Sequence, residues 1–170
     1  MLGWRKQALG RGMDEIKLTR LENRLVDQIR LAGLSRDFTW DERSEIPQIW
    51  EAFDEIAPTV AGKVPGCFYG VSYNGNPEGF SYAAAVELLE DAPVPDLFTE
   101  IPIPTQKCAV FETQGPISDF PKAMGRAVAA LNADAHFAIA EGPPMVEVYD
   151  ERFNPRDGIV TILIPVVERG

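Results

Sequence analysis

A strand–helix–hairpin pattern occurs twice in this chain, once on each side of the proline-bearing run Ala92-Pro-Val-Pro95. In the first half, Ile16-Lys-Leu-Thr-Arg-Leu21 alternates apolar and polar residues, the period of a half-buried strand, and Arg24 to Leu34 continues it with Gly33 at its close. The polar stretch Ser35 to Ser44 reads as a connection. Ile46, Ile49, Trp50, Phe53 and Ile56 then fall at helical spacing and predict an amphipathic helix over 45–57. Pro47 suits its first turn, and Pro58 lies just past its end. Cys67–Tyr73 and Phe80–Leu89 read as the strands of a hairpin whose turn is Asn74-Gly-Asn-Pro-Glu-Gly79, with Asn74-Gly75 as the cue.

The order recurs in the second half. Strands are expected near Leu97–Ile103 and over Gln106–Gln114, followed by a helix that Ser118 can cap. Its buried stripe is Phe120, Met124, Ala127, Val128 and Leu131. After a loop over Asn132–Pro144 come strands at Met145–Asp150 and Gly158–Val167, joined by a turn at Phe153–Asp157. The spacings match: Leu21 to Gly33 and Ile103 to Gly115 both span twelve steps, and Tyr69 to Phe80 and Glu147 to Gly158 both span eleven. Tyr69 is thereby the counterpart of Glu147. The expected fold is α+β: two duplicated modules, about 14–91 and 97–168, forming one mostly antiparallel sheet with two main helices on one face. A ligand cleft between the helices follows, because pockets favour seams between structural units. Residues 1–13 read as a flexible leader or extension ahead of a single domain over 14–170.

Composition narrows the function. Of the 170 residues 45% are hydrophobic, enough for a packed interior, and the net charge is −10. Residues 1–12 hold Arg5, Lys6 and Arg11 with no acid; without them 13 basic side chains face 26 acidic ones. Such a surface repels a phosphate backbone, so direct nucleic-acid binding is not expected, and it attracts cations. About 15 residues precede the first module, too few for a DNA-binding helix-turn-helix. No apolar run approaches the roughly 18 residues of a membrane span, and no secretory signal is evident. Cys67 and Cys108 form no metal or CxxC spacing, which points to a reduced, cytoplasmic setting. His136 is the sole histidine, which removes Ser/His/Asp and Cys/His machinery and most zinc sites; no metal and no cofactor is expected.

One residue is out of place. In Pro144-Met-Val-Glu-Val-Tyr149 the strand period puts Glu147 and Tyr149 on one face and Val146 and Val148 on the other. A carboxylate within an apolar strand costs free energy unless something satisfies it. It either pairs internally, faces solvent, or awaits a cation. Tyr82 with Phe80 on the preceding hairpin, Tyr69 and Trp50 are candidates for aromatic walls around it, which would hold a flat organic cation by stacking and cation–π attraction. Each also has a plain packing role. Trp50 and Phe111 read first as core, Tyr69 and Tyr82 are balanced between core and pocket rim, and Trp40 is either a lid or a packed loop residue.

Six segments in matching order resemble the GyrI-like, AraC-type effector-binding family: Ile46-Pro-Gln-Ile-Trp50-Glu-Ala-Phe53, Tyr69-Gly-Val71, Phe80-Ser-Tyr82-Ala-Ala-Ala-Val86-Glu87, Ile101-Pro-Ile-Pro104, Cys108-Ala-Val-Phe111 with Gly115, and Val146-Glu-Val-Tyr149. The resemblance covers roughly residues 14–168. It implies duplicated strand–helix–hairpin (SHS2-like) modules, and binding of amphipathic, cationic or polyaromatic compounds with the acid at Glu147 facing the ligand and Tyr149 in the same motif. The expected ligand-binding set is Glu147, Tyr149, Tyr82, Tyr69, Trp50 and Phe111. Cys108 stands where the family commonly has an aromatic residue, which leaves that wall wider. Three functions are consistent with the resemblance. The first is a sensor, sequestering or resistance protein for a lipophilic cation. The second is a hydrolase of the cyclopropanoid-hydrolase type, with Glu147 activating water and Tyr69, Tyr82 or Tyr149 donating a proton. The third is a gyrase-inhibitor-like modulator of a protein partner.

Overall fold

The computed structural model describes residues 15–170, so the leader expected over 1–13 lies outside the described residues. Strands β1 (Lys17–Arg20), β2 (Arg24–Val26) and β3 (Ile29–Thr39) lead through a 3-10 turn at Trp40–Glu45 into helix α1 (Ile46–Ile56). The hairpin of β4 (Phe68–Tyr73) and β5 (Gly79–Glu87) follows. Strands β6 (Thr99–Ile103) and β7 (Gln106–Gln114) then lead through a second 3-10 turn, Ile117–Asp119, into α2 (Phe120–Asn132). Short strand β8 (Phe137–Ile139) precedes the closing hairpin of β9 (Met145–Tyr149) and β10 (Ile159–Glu168). The unit β3-α1-β4-β5 is thus matched by β7-α2-β9-β10.

Among the described residues all strands join one sheet in the order β1-β7-β10-β9-β4-β5-β3-β6, every pair antiparallel, with β2 added to β7 and β8 to β10. The two hairpins meet back to back at the centre, where β4 pairs with β9. The ends of the sheet also meet. Arg24–Val26 pairs with Gln106–Cys108 and Ile29–Gly33 with Thr99–Ile103 in one register, so Arg24 opposes Cys108 and Ile29 opposes Ile103. Between them Thr105 Oγ1 accepts the Gln28 amide at 3.0 Å. The sheet therefore wraps into a barrel whose wall runs β7-β10-β9-β4-β5-β3 and closes through this shared ladder.

Alternation along each strand then gives two cores. The barrel interior collects Leu31, Tyr69, Val71, Ala83, Ala85, Ile101, Ile103, Cys108, Val110, Val146 and Leu163. The outer face packs under the helices: Trp50 and Phe53 of α1 and Phe120, Ala127 and Leu131 of α2 meet Tyr82, Phe111, Tyr149, Ile162 and Ile164. Helix α1 lies over β3 and β5, and α2 over β1, β7 and β8, so β10, β9 and β4 run between them.

Several local expectations are corrected. Ser35, Arg36 and Asp37 belong to β3, because their backbone pairs with Ala83, Tyr82 and Ser81 of β5 and their polar side chains have local partners. Arg36 is paired to Glu45 at 2.9 Å, and Asp37 accepts the Ser81 hydroxyl. Gly33 does not end a strand: a Cβ there would lie 2.0 Å from the Ala84 carbonyl oxygen, so it marks a close backbone approach inside β3. Ser118 sits within the 3-10 turn, and Asp119 takes the N-cap position of α2 without a side-chain cap bond. The stretch expected as a loop over 132–144 contains β8, which pairs Phe137–Ile139 with Val166–Glu168.

Candidate functional site

The strand period fixes the site. On β9, Glu147 and Tyr149 point to the helix side, and Val146 points into the barrel. Directly paired residues share a face, so Glu147 lies in one row with Gly70 of β4 and Ile162 of β10. Glu147 is only 6% exposed. Its Oε1 accepts two phenolic hydrogen bonds, from Tyr149 at 2.7 Å and Tyr82 at 3.0 Å. The Tyr82 hydroxyl in turn accepts the indole N–H of Trp50 at 3.0 Å. A chain of polar groups thus runs from α1 through β5 to β9, within the outer core.

Packing holds each ring. Trp50 meets Tyr149 edge-on at 5.2 Å and Phe53 at 5.6 Å, and Tyr149 meets Phe153 at 5.1 Å. Gly70 completes the floor. A Cβ on it would lie 2.3 Å from the Tyr82 hydroxyl and 2.5 Å from Glu147 Oε1, so only glycine fits beneath the carboxylate. A glycine inside a strand otherwise rich in aromatic residues is the signal that marks this position in the sequence.

Among the described residues Glu147 has no ion pair. Two basic side chains of the second module are engaged elsewhere: Arg126 donates to the Ile16 carbonyl at 3.1 Å, and the Lys107 ammonium lies 5.3 Å from the Phe137 ring centre. Burial pushes the Glu147 carboxyl above its ordinary pKa, opposed by the two phenolic hydrogen bonds. Burial also raises both Tyr82 and Tyr149, reinforced by the neighbouring carboxylate. Among the described residues the arrangement is a desolvated acid that no base neutralises and whose negative form two phenolic hydroxyls support.

The structure gathers four of the six residues expected at the site: Trp50, Tyr82, Glu147 and Tyr149. Tyr69 is elsewhere. It opposes Val148 on β9 and points into the barrel beside Cys67, where burial raises its hydroxyl pKa. The matching intervals that made it the counterpart of Glu147 do not determine the register of the β4–β9 pair, which sets Gly70 opposite Glu147. Phe111 shares the face and the row but stands two strands away, with Ile162 between. Trp40, the loop tryptophan, opens the 3-10 turn. It stacks on Phe80 at 5.0 Å and donates its indole N–H to the Asn76 carbonyl. No cluster of three or more metal-ligating side chains occurs among the described residues, and none of their helices is long and apolar enough to cross a membrane.

A family model described as an integron-associated effector binding protein, Cass2, matches residues 24–166. The chain belongs to this family. Its GyrI-like effector-binding fold agrees with that of solved structures. An integron cassette protein from the mobile metagenome of Vibrio cholerae superposes with a TM-score of 0.70 at 17% identity, covering 91% of this chain and all of that one. SAV2435, solved bound to tetraphenylphosphonium, superposes with a TM-score of 0.71 at 18% identity over 90% of this chain and 94% of that one. The transcriptional regulator BrlR of Pseudomonas aeruginosa PAO1 is 31% identical over 125 residues, 71% of this chain. The Cass2-type chain spans 46% of the length of that regulator. Membership makes small-molecule binding the family-level function of this fold.

Proposed function

We propose that this Cass2-type chain captures an amphipathic, aromatic cation against Glu147, as a sensor, sequestering or resistance protein. The observation that carries the reading is a buried carboxylate that no cation in the described structure neutralises. Leaving a charge in an apolar setting is costly, and a bound cation offsets that cost. The TM-score shared with SAV2435, a protein solved with a lipophilic cation, supports the same class of ligand. The acidic balance of the chain favours cation approach and disfavours nucleic acid, so the partner in this reading is a small molecule. Two unpaired thiols fit the cytoplasmic setting that such a capture protein would have. Titration of a cationic aromatic dye, followed by fluorescence polarisation, tests the reading. E147Q should weaken binding at least about tenfold, as loss of a charged hydrogen-bonding partner does; unchanged affinity would overturn it.

A second reading rests on the same geometry. Two phenols within 3.0 Å of a carboxyl whose pKa is raised bring a base and proton donors together, as adding water across a strained, electrophilic ring requires. Glu147 would take a proton from water as its oxygen attacks, and a phenol would return one to the carbon that leaves. Mass-spectrometric detection of the ring-opened, hydrated product separates turnover from capture.

A further inference from the structure

The polar chain that ends on Glu147 begins at a group with no choice of role. An indole N–H can donate a hydrogen bond and cannot accept one. Trp50 of α1 donates to the Tyr82 hydroxyl oxygen at 3.0 Å. With that oxygen engaged as an acceptor, Tyr82 has its own proton left to give, and Glu147 Oε1 lies 3.0 Å away to receive it. Tyr149 gives a second proton to the same oxygen at 2.7 Å.

Two proton arrangements compete at this buried acid. When Glu147 is ionised, each of these donors has an acceptor: the indole on Tyr82, and both phenols on Oε1. When Glu147 is protonated, its own O–H becomes a further donor, and the oxygens already bonded to it are the phenolic ones. The Tyr82 oxygen then has to accept from both the indole and the acid, while its own proton loses the carboxylate. A fixed donor at the head of the chain therefore favours the charged acid, against the burial that favours the neutral one.

The surroundings leave this role to Trp50. Among the described residues the titratable groups that act on Glu147 are the two phenols, Tyr82 from β5 and Tyr149 from its own strand. The flanking strands β4 and β10 set Gly70 and Ile162 beside it. Trp50 is fully buried and also meets the Tyr149 ring edge-on at 5.2 Å, so one helix residue touches both donors. A tyrosine or histidine in its place could accept as well as donate, and the direction of the chain would be left open.

We infer that Trp50 is a positioning residue: its indole N–H, held against the Tyr82 oxygen, turns the Tyr82 proton onto Glu147 and keeps the acid charged. The use of that charge for cations rests on the capture reading above; its maintenance by Trp50 does not.

The test replaces Trp50 in the full chain by benzothienylalanine, which keeps the bicyclic shape and exchanges the N–H for sulfur. Carboxyl-carbon NMR, with the Glu147 signal assigned by its loss in E147Q, follows the titration of the acid without ligand. Loss of the N–H should raise the midpoint by about 0.5–1 pH unit, the scale of one hydrogen bond. Tyr82→Phe should raise it too, and adding the Trp50 replacement to Tyr82→Phe should raise it no further, because the indole acts through Tyr82. At pH values below the midpoint, affinity for a permanently charged aromatic dye should fall in step, by about three- to tenfold. An unmoved midpoint, or a shift that persists in full without the Tyr82 hydroxyl, would overturn the inference while leaving cation capture intact. A midpoint that moves as stated, with no dye bound by any of these proteins, would overturn the capture reading alone.

Discussion

Gly70 and Glu147 face each other across the β4–β9 ladder so closely that a methyl group on the glycine would lie 2.5 Å from the carboxylate oxygen. The carboxylate, the Tyr82 hydroxyl and the β4 backbone therefore share a space in which nothing larger than hydrogen fits. The position of the acid is set as much by that missing side chain as by its two phenolic donors.

Gly70→Ala should displace Glu147 and Tyr82 together. Overpacking of this kind costs about 1–3 kcal/mol, so denaturant unfolding should report a loss on that scale. Ligand affinity should fall with it. A stable Gly70→Ala protein with undiminished dye binding would show that the close approach does not position the acid.

Glu147 also links stability to pH. Burial raises its pKa in the folded chain, so the protonated form is favoured there relative to the unfolded chain. Its contribution to stability is fully present below the unfolded carboxyl pKa and is lost as pH rises through the higher folded value. E147Q removes that dependence. The difference in melting temperature between E147Q and the unmodified chain should therefore move in favour of E147Q as pH increases from 4 to 8. Parallel pH profiles for the two proteins would contradict this.

Bound cations reverse that trend. A cation beside Glu147 favours its ionised form, so binding must expel a proton wherever the free acid is protonated. Affinity for a permanently charged dye should rise with pH until Glu147 is ionised in the free protein and then level off. Tyr82→Phe deletes one donor to the carboxylate, which raises the Glu147 pKa further. The plateau should then be reached at higher pH, a shift that polarisation titrations across pH would read.

Helix α2 carries a glycine with no structural demand on it. Gly125 is an interior helical residue with open space where a Cβ would stand. Gly125→Ala should stabilise the chain by about 0.5–1 kcal/mol without altering ligand affinity. It provides a stabilised background in which the site variants can be compared.

Much of the outline was legible because local pattern determines it. Gln106–Gln114 forms the strand expected there, and Ile49, Trp50 and Phe53 form the buried stripe of α1. The hairpin turns within the expected stretch 74–79, with Asn74 at φ 54°, but as a five-residue loop between Tyr73 and Gly79 rather than the two-residue turn that Asn-Gly favours. What escaped depends on register and closure, which link distant segments. Strand parity alone separates Tyr69 from Gly70, yet which of them meets Glu147 is decided by pairing with a strand 77 positions away. Likewise Ser35–Asp37 look like a connection until β5 is placed beside them. The family resemblance held at the level of fold and effector binding; of the six expected site residues, Trp50, Tyr82, Glu147 and Tyr149 lie together in the structure.

The shared ladder of 24–33 with 99–108 has a consequence for how the chain must be made. Each module lends the other a strand: β6 lies against β3 of the first, and β2 lies against β7 of the second. Cutting the chain at the proline run would leave two pieces with open hydrogen-bonding edges, neither holding a closed interior. The duplication visible along the chain is therefore not a division into separable parts. Assembly has to wait for contacts about 75 residues apart, so this is a chain expected to fold slowly and as one unit.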